Sequence, residues 1–144
     1  MDTPKTPIPI ELPRGIRDNN PGNIRSNPNI MWKGQVGVDE GGYLKFKSAV
    51  WGIRAMAMIL RHYHEYTHCN SLQSYVTRWA PPTENASWAY VQDVAARMGV
   101  YPAVPVDLHT QGIALVTAII WHENGQCPYD SNTIAGAVHL SHIQ

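Results

Sequence analysis

What this sequence most plainly lacks is a surplus of charge: eleven Lys plus Arg balance eleven Asp plus Glu, for a formal net charge of zero at neutral pH. Proteins that grip duplex nucleic acid usually carry a basic excess that displaces condensed counterions, so no nucleic-acid partner is expected. Long apolar runs are missing too. The most apolar helix-like stretch, GIALVTAIIW at 112–121, is well short of the ~20 residues that a membrane-spanning helix needs, so no span is expected. The opening MDTPKTPIPIEL lacks the charged-then-apolar layout of a secretory signal. Cysteine is scarce: Cys69 and Cys127 stand without CxxC or metal spacing and read as free structural thiols rather than a bridge. Neither a metal nor another cofactor is implied.

What is present is enough chain for one core. At 144 residues a compact domain needs no disulfide or metal to hold it, and a monomer is the simplest expectation. Residues 1–13 carry four prolines and no apolar period, which marks an extended lead-in; the domain is expected over 14–144. The stretch RGIRDNNPGNIRSNPNIMWKG at 14–34 is dense in Asn, Gly and Pro, giving irregular backbone rich in amides that could dock a polar ligand. Beyond Gly41 and Gly42, Leu44 and Phe46 alternate with Tyr43, Lys45 and Lys47, which predicts a short hairpin.

Helical spacing dominates the rest. Ser48 is a candidate N-cap for a helix burying Ile53, Met56, Ala57, Leu60 and Tyr63. A shorter helix is predicted from Ser71 to Trp79, stopped by Pro81 and Pro82. A third, from Ala86 to Met98, puts Trp88, Val91, Val94, Ala95 and Met98 on one face, with Gly99 closing it. Asp107 caps the apolar run leading to HENG at 122–125, and a last helix over 131–140 turns Ile134, Ala137 and Val138 inward. Trp51, Trp79 and Trp88 read as core at these spacings. The fold class is α+β, mainly α, with about five helices and one hairpin.

Two local patterns carry competing chemistry. His64-Glu65-Tyr66-Thr67-His68 matches H-E-x-x-H, which on one helix face can hold Zn²⁺ while the glutamate activates water for peptide cleavage. Against a zinc endopeptidase, Thr67, Cys69 and Asn70 are polar where a buried helix should continue. Asp39-Glu40-Gly41-Gly42 is similar to the E-G-G of some phage muramidases, but the simpler reading is the turn that opens the hairpin.

Three separated stretches resemble cell-wall lytic enzymes. AIIWHENGQCPY (118–129) resembles the helix-ending E-S-G-F-x-P signature of goose-type lytic transglycosylases, with Glu123 at the acid position and Asn124 in place of serine. APPTENASWAYVQDV (80–94) is similar to the later E-T-x-x-Y-V-x-x-V stretch of that family through Glu84, Tyr90, Val91 and Val94. RGIRDNNPGNIR (14–25), with Trp32, Gly34 and Phe46 to Ser48, resembles a group of phage-encoded peptidoglycan-degrading proteins. The acid-bearing helix comes last here rather than first, an order that a circular permutation of a lysozyme-like fold would explain.

The resemblance implies cleavage of the β-1,4 bond between the amino sugars of peptidoglycan, by a lytic transglycosylase or muramidase. It implies a protein made in the host cytoplasm without a signal peptide that acts on the wall, at lysis or from the virion. Such chemistry needs a carboxyl that can hold a proton, and burial among apolar groups favours the neutral form of an acid. Glu123, ending an apolar helix before Gly125, has that placement. Hydrolysis by the usual scheme needs a second carboxylate about 5–9 Å across the sugar. Glu84 is the candidate, with a helix N-terminal acid as its alternative role. Without one, the glycan's C6 hydroxyl attacks and a 1,6-anhydro sugar results. Asn19, Asn20 and Asn23 are expected to hold acetamido and hydroxyl groups, Trp32 or Tyr90 to stack on a sugar, Arg25 to meet stem-peptide carboxylates, and His122 and Tyr129 to wall the cleft. An inactive wall-binding virion protein is the non-enzyme alternative.

Overall fold

The protein is described by a computed structural model over residues 11–83 and 86–142. Among these residues six helices and one two-stranded antiparallel sheet follow in the order α1 (Arg14–Arg17), β1 (Gln35–Val38), β2 (Leu44–Phe46), α2 (Ala49–Thr67), α3 (Leu72–Trp79), α4 (Ser87–Met98), α5 (Leu108–Asn124) and α6 (Ser131–Leu140). The class is α+β, mainly α. The helix beyond the five expected is α1, a single turn inside the Asn/Gly-rich stretch, too short to leave a periodic apolar signature.

Helix ends lie where capping chemistry puts them. The Asp107 side chain accepts the His109 N–H at the start of α5 and the Asp130 side chain accepts the Thr133 N–H at the start of α6. Ser71 and Ser74 form a reciprocal capping box on α3. Gly99 and Gly125 close α4 and α5 in the left-handed conformation.

α5 touches α1, α2, α4 and α6, and this central position explains its apolar character on most sides. Leu115, Val116, Ile119 and Ile120 are fully buried within it, each worth roughly 1.5–3 kcal/mol of hydrophobic transfer before the entropy of ordering is subtracted. Leu44 and Phe46 enter the same core from β2 while Lys45 faces out, as the period-two pattern requires. Trp51 and Trp79 pack at its margin. Trp88 departs from expectation: it is 55% exposed, because the inward face of α4 is set by Tyr90, Val91, Val94 and Ala95 and Trp88 sits in the first turn, beside that face rather than on it. Among the described residues no helix is long and apolar enough to cross a membrane.

The Asn-rich stretch after α1 is tied to the hairpin like a third strand. Leu44 N donates to Ile24 O, Ser26 N to Gly42 O, and Phe46 N to Asp18 O. Helix α2 backs onto this stretch so closely that a Cβ on Gly52 would lie 2.0 Å from Asn19 O.

A carboxyl pair lies beneath the same turn. Asp39 Oδ1 accepts the N–H groups of Gly41 and Tyr43, so the D-E-G-G segment is the hairpin turn. Burial works against its charge, yet a hydrogen bond with Asp18, those two N–H groups and the Arg14 guanidinium bring Asp39 down to about 2. Asp18 moves the opposite way: burial and the neighbouring Asp39 raise it above the ordinary carboxylate value, with Arg17 opposing. Asp18 Oδ2 is buried without a donor, and a proton placed there completes the bond to Asp39.

The two acids have opposite linkage to pH. Asp18, raised, adds stability that is fully present below the unfolded value of 3.8 and lost as pH rises through its folded value. Asp39, depressed, adds stability present above 3.8 that is lost as pH falls toward about 2. Asp18→Asn supplies a permanent donor to Asp39. Its melting temperature at neutral pH is expected to equal or exceed that of the native protein, and the gap to close on acidification toward pH 4. A variant that melts lower at pH 7 by the same margin as at pH 4 would exclude the shared proton.

Candidate functional site

Glu123 stands half-buried in the last turn of α5, one residue before the buried Asn124. Each of its carboxylate oxygens is held by a side chain from a different part of the fold. Asn23 Nδ2 donates to Oε1 at 2.8 Å, and the Tyr90 hydroxyl on α4 donates to Oε2 at 2.6 Å. Burial, followed by the charge and hydrogen bonding of Glu123, pushes the Tyr90 phenol far above its ordinary value, with a hydrogen bond from Trp79 opposing. Tyr90 is therefore fixed as a proton-bearing donor at any ordinary pH.

The carboxyl group opens onto a cleft of about 380 Å³ lined by Asn23, Arg25, Tyr43, Tyr63, Trp79 and Glu123, among others. Arg25 lies over the Tyr43 ring, its guanidinium carbon 4.6 Å from the centroid, and Arg14 lies at the same distance. Among the described residues lining the cleft Glu123 is the one carboxylate. Glu84, the expected second acid, lies outside the described residues.

The backbone explains how Asn23 reaches the acid. Asn23 has φ of 50°, in the left-handed region that Asn tolerates better than most residues. Asn124 pins the same loop from the helix side, its Nδ2 donating to Pro21 O at 2.8 Å and Ile120 O at 3.0 Å. Gly15 leaves room for this meeting: a Cβ there would stand 2.6 Å from Asn124 Oδ1 and 2.9 Å from Asn23 Oδ1.

Behind Tyr90 lies a second row of contacts. The His122 ring packs against the Tyr90 ring with centroids 3.7 Å apart, and His122 Nδ1 is 2.7 Å from Asp93 Oδ2. Burial disfavours the charge on Asp93, but hydrogen bonds from His122 and Arg97 outweigh it and hold the carboxyl below its ordinary value. This row fixes the phenol that meets Glu123.

Of the sequence-derived candidates, Glu123, Asn23, Tyr90 and Arg25 come together, and several roles need correction. Tyr90 is 3% exposed, so it offers no stacking face and acts on Glu123 as a donor. Asn20 is 1% exposed; its amide bonds Ile24 N, Ile24 O and Leu44 O and is consumed in shaping the loop. Asn19, with φ of 55°, donates to Phe46 O and ties the same turn to β2. Trp32 and Tyr129 are partly buried against the core, and neither lines the cleft. Burial raises the Tyr129 phenol to about 12. His122 buttresses Tyr90 instead of walling the cleft. Tyr63, Trp79, Tyr43 and Asp93 were missed; Asp93 had a signal, standing one helical turn beyond Tyr90 as a charged residue on a mostly apolar helix.

The H-E-x-x-H segment does not keep one helical face. α2 ends at Thr67, and His68 is its left-handed cap with φ of 58°, so the four-residue register between His64 and His68 is lost. His64 Nδ1 lies 2.9 Å from Cys69 O and 3.1 Å from the Tyr75 hydroxyl. Among the described residues no group of three or more His, Cys, Asp or Glu is arranged to hold a metal ion. Cys69 and Cys127 are both free.

No family model matches the sequence. Protein P5 of Pseudoalteromonas phage PM2 is 36% identical over 127 residues, which cover 86% of this chain and 79% of that protein. The chain belongs to the family of phage PM2 Protein P5. The kinship spans most of both proteins, and so takes in the greater part of a fold whose site is assembled from the loop after α1 and the end of α5.

Proposed function

We propose that this bacteriophage-family protein cleaves peptidoglycan glycan strands, with a lysozyme-like, circularly permuted domain and Glu123 as general acid and base. The observation that carries the reading is the clamping of both Glu123 oxygens, by Asn23 and Tyr90, at the edge of a cleft with aromatic walls. A carboxyl fixed in this way is oriented before substrate arrives, which removes reorganisation from the reaction.

In this reading the Glu123 proton passes to the glycosidic oxygen as the bond to the anomeric carbon breaks. The resulting carboxylate then takes the proton of the sugar's C6 hydroxyl, whose oxygen closes on the anomeric carbon to give a 1,6-anhydro end. This route needs no second acid across the sugar, whereas hydrolysis by the usual scheme does. Tyr63 and Trp79 are the stacking surfaces, and Arg25 meets the negative charge of the stem peptide. Place of action follows the same reading: the phage kinship fits a protein carried in the virion or released at lysis.

Purified protein should clear a peptidoglycan zymogram, and mass spectrometry of the released muropeptides should find fragments one water lighter than hydrolysis products. Clearing should persist in EDTA. Cut stem peptides with chelator sensitivity would return the zinc endopeptidase, and wall binding without clearing would leave a binding protein with a silent site.

A further inference from the structure

Two side-chain oxygens beside Glu123 stand out because they are buried and have no hydrogen-bond partner: Asn23 Oδ1 and Asn124 Oδ1. An amide oxygen without a donor in the interior costs about 1–3 kcal/mol, and here two occur together. Both lie within 3 Å of one point, the place where a Gly15 Cβ would stand, at 2.9 Å and 2.6 Å, with Asn20 O at 2.8 Å from it. Three acceptors thus converge on a small space; Asn20 O takes the Asn23 backbone N–H at 2.9 Å, and the two amide oxygens have no donor.

Asn124 cannot relieve this by turning over, because both N–H bonds of its amide are engaged by Pro21 O and Ile120 O. Asn23 can. Its Nδ2 makes one bond, to Glu123 Oε1, and a half-turn about χ2 exchanges the places of its nitrogen and oxygen.

We propose that the Asn23 amide is a two-position proton sensor for Glu123, a reading of regulation that rests on the catalytic role proposed above. With Glu123 ionised, Nδ2 donates to Oε1 and the three oxygens near Gly15 face one another. With Glu123 protonated, Oε1–H donates to Asn23 Oδ1, and the displaced Nδ2 points at Asn124 Oδ1 and Asn20 O. The second arrangement gives each of the two orphaned oxygens a donor. The proton comes from solvent and leaves to the glycosidic oxygen; the amide then turns back, offering an N–H to the new carboxylate.

Other ionisable groups surround the acid. Tyr90 and Asp93 approach from α4, His122 adjoins it on α5, Arg25 comes from the loop after α1, Tyr43 from the hairpin and Tyr63 from α2, with Arg78 of α3 beyond the Tyr63 ring. Tyr90 keeps its bond to Oε2 in both arrangements. The others change the field at Glu123 without turning the amide, so the position of the Asn23 nitrogen separates this device from simple electrostatics.

The test is nuclear magnetic resonance of the intact, isotope-labelled protein. In the native protein at neutral pH the Asn23 Nδ2 protons are expected to show contacts to the Glu123 side chain and not to the Gly15 α-protons. In Glu123→Gln, a neutral side chain can donate to Asn23 Oδ1, and the Nδ2 contacts should move to Gly15 at the same pH. In the native protein the same move should accompany the Glu123 carboxyl carbon shift on acidification. Unchanged Nδ2 contacts in Glu123→Gln overturn the sensor even if muralytic assays succeed. A moved amide in a protein that never cleaves glycan would instead preserve the device and remove the catalytic reading.

Discussion

Glu123→Gln is expected to lower glycan cleavage by about 10²–10⁴-fold, the usual contribution of a positioned general acid and base, while the protein melts close to the native temperature. The substitution keeps the side chain's shape and removes only its capacity to give up and regain a proton. The Tyr90 hydroxyl still finds an oxygen to donate to, and the core contacts of α5 are untouched, since Leu115, Val116, Ile119 and Ile120 lie on the preceding turns. Turbidity loss on purified cell walls, read beside circular-dichroism melts, checks both halves. Cleavage that survives at native rate in a folded variant would mean that the reacting proton is carried elsewhere.

Gly52→Ala is expected to give the largest loss of stability. A methyl group there would lie 2.0 Å from the Asn19 carbonyl oxygen and 3.2 Å from Asn20 Cα, and these are backbone atoms that no rotamer change can move aside. Overpacking of this kind costs typically up to about 3 kcal/mol, which for a chain of this length corresponds to a melting temperature roughly 10 °C lower. The loss should extend to function. The turn that must retreat carries Asn19, bonded to Phe46 O, and Asn20, bonded to Leu44 O, and it leads directly into Asn23. Thermal melts and cleavage assays on the same preparation should therefore fall together, and a variant as stable as the native protein would show that α2 and the loop do not press on each other.

Helix positions were legible because they rest on local chemistry. The Asp107 and Ser71 caps, the glycine stops at 99 and 125, and the Leu44/Phe46 alternation each sit in the chain beside the element they define. Glu123 stood out for a similar reason, as a charged residue placed directly after an apolar run, and the structure sets it on the lining of the cleft. Its partners were only half legible. Tyr90 was singled out to stack on a sugar and Asn23 to hold its acetamido and hydroxyl groups, but not as partners of Glu123, because spacing along the chain says nothing about which polar group meets which across the fold. Asn19 and Asn20 misled in the other direction: an Asn-rich turn looks like an open set of donors, yet most of its amides are spent on β2 and on the loop itself. Trp88 shows the limit of periodicity: it lies at the margin of the apolar face of α4, and spacing alone does not say whether such a residue is covered or left open.

The hydrogen bond from Asn23 to Glu123 joins residues 100 positions apart, and that from Asn124 to Pro21 joins residues 103 apart. Contacts of such long sequence separation close late, since the entropy of the intervening loop has to be overcome before they add anything. A chain still being synthesised contains the amide-rich loop long before it contains the acid, so no nascent fragment can hold the assembled pair. The host cell meets the finished arrangement only when translation has passed the end of α5.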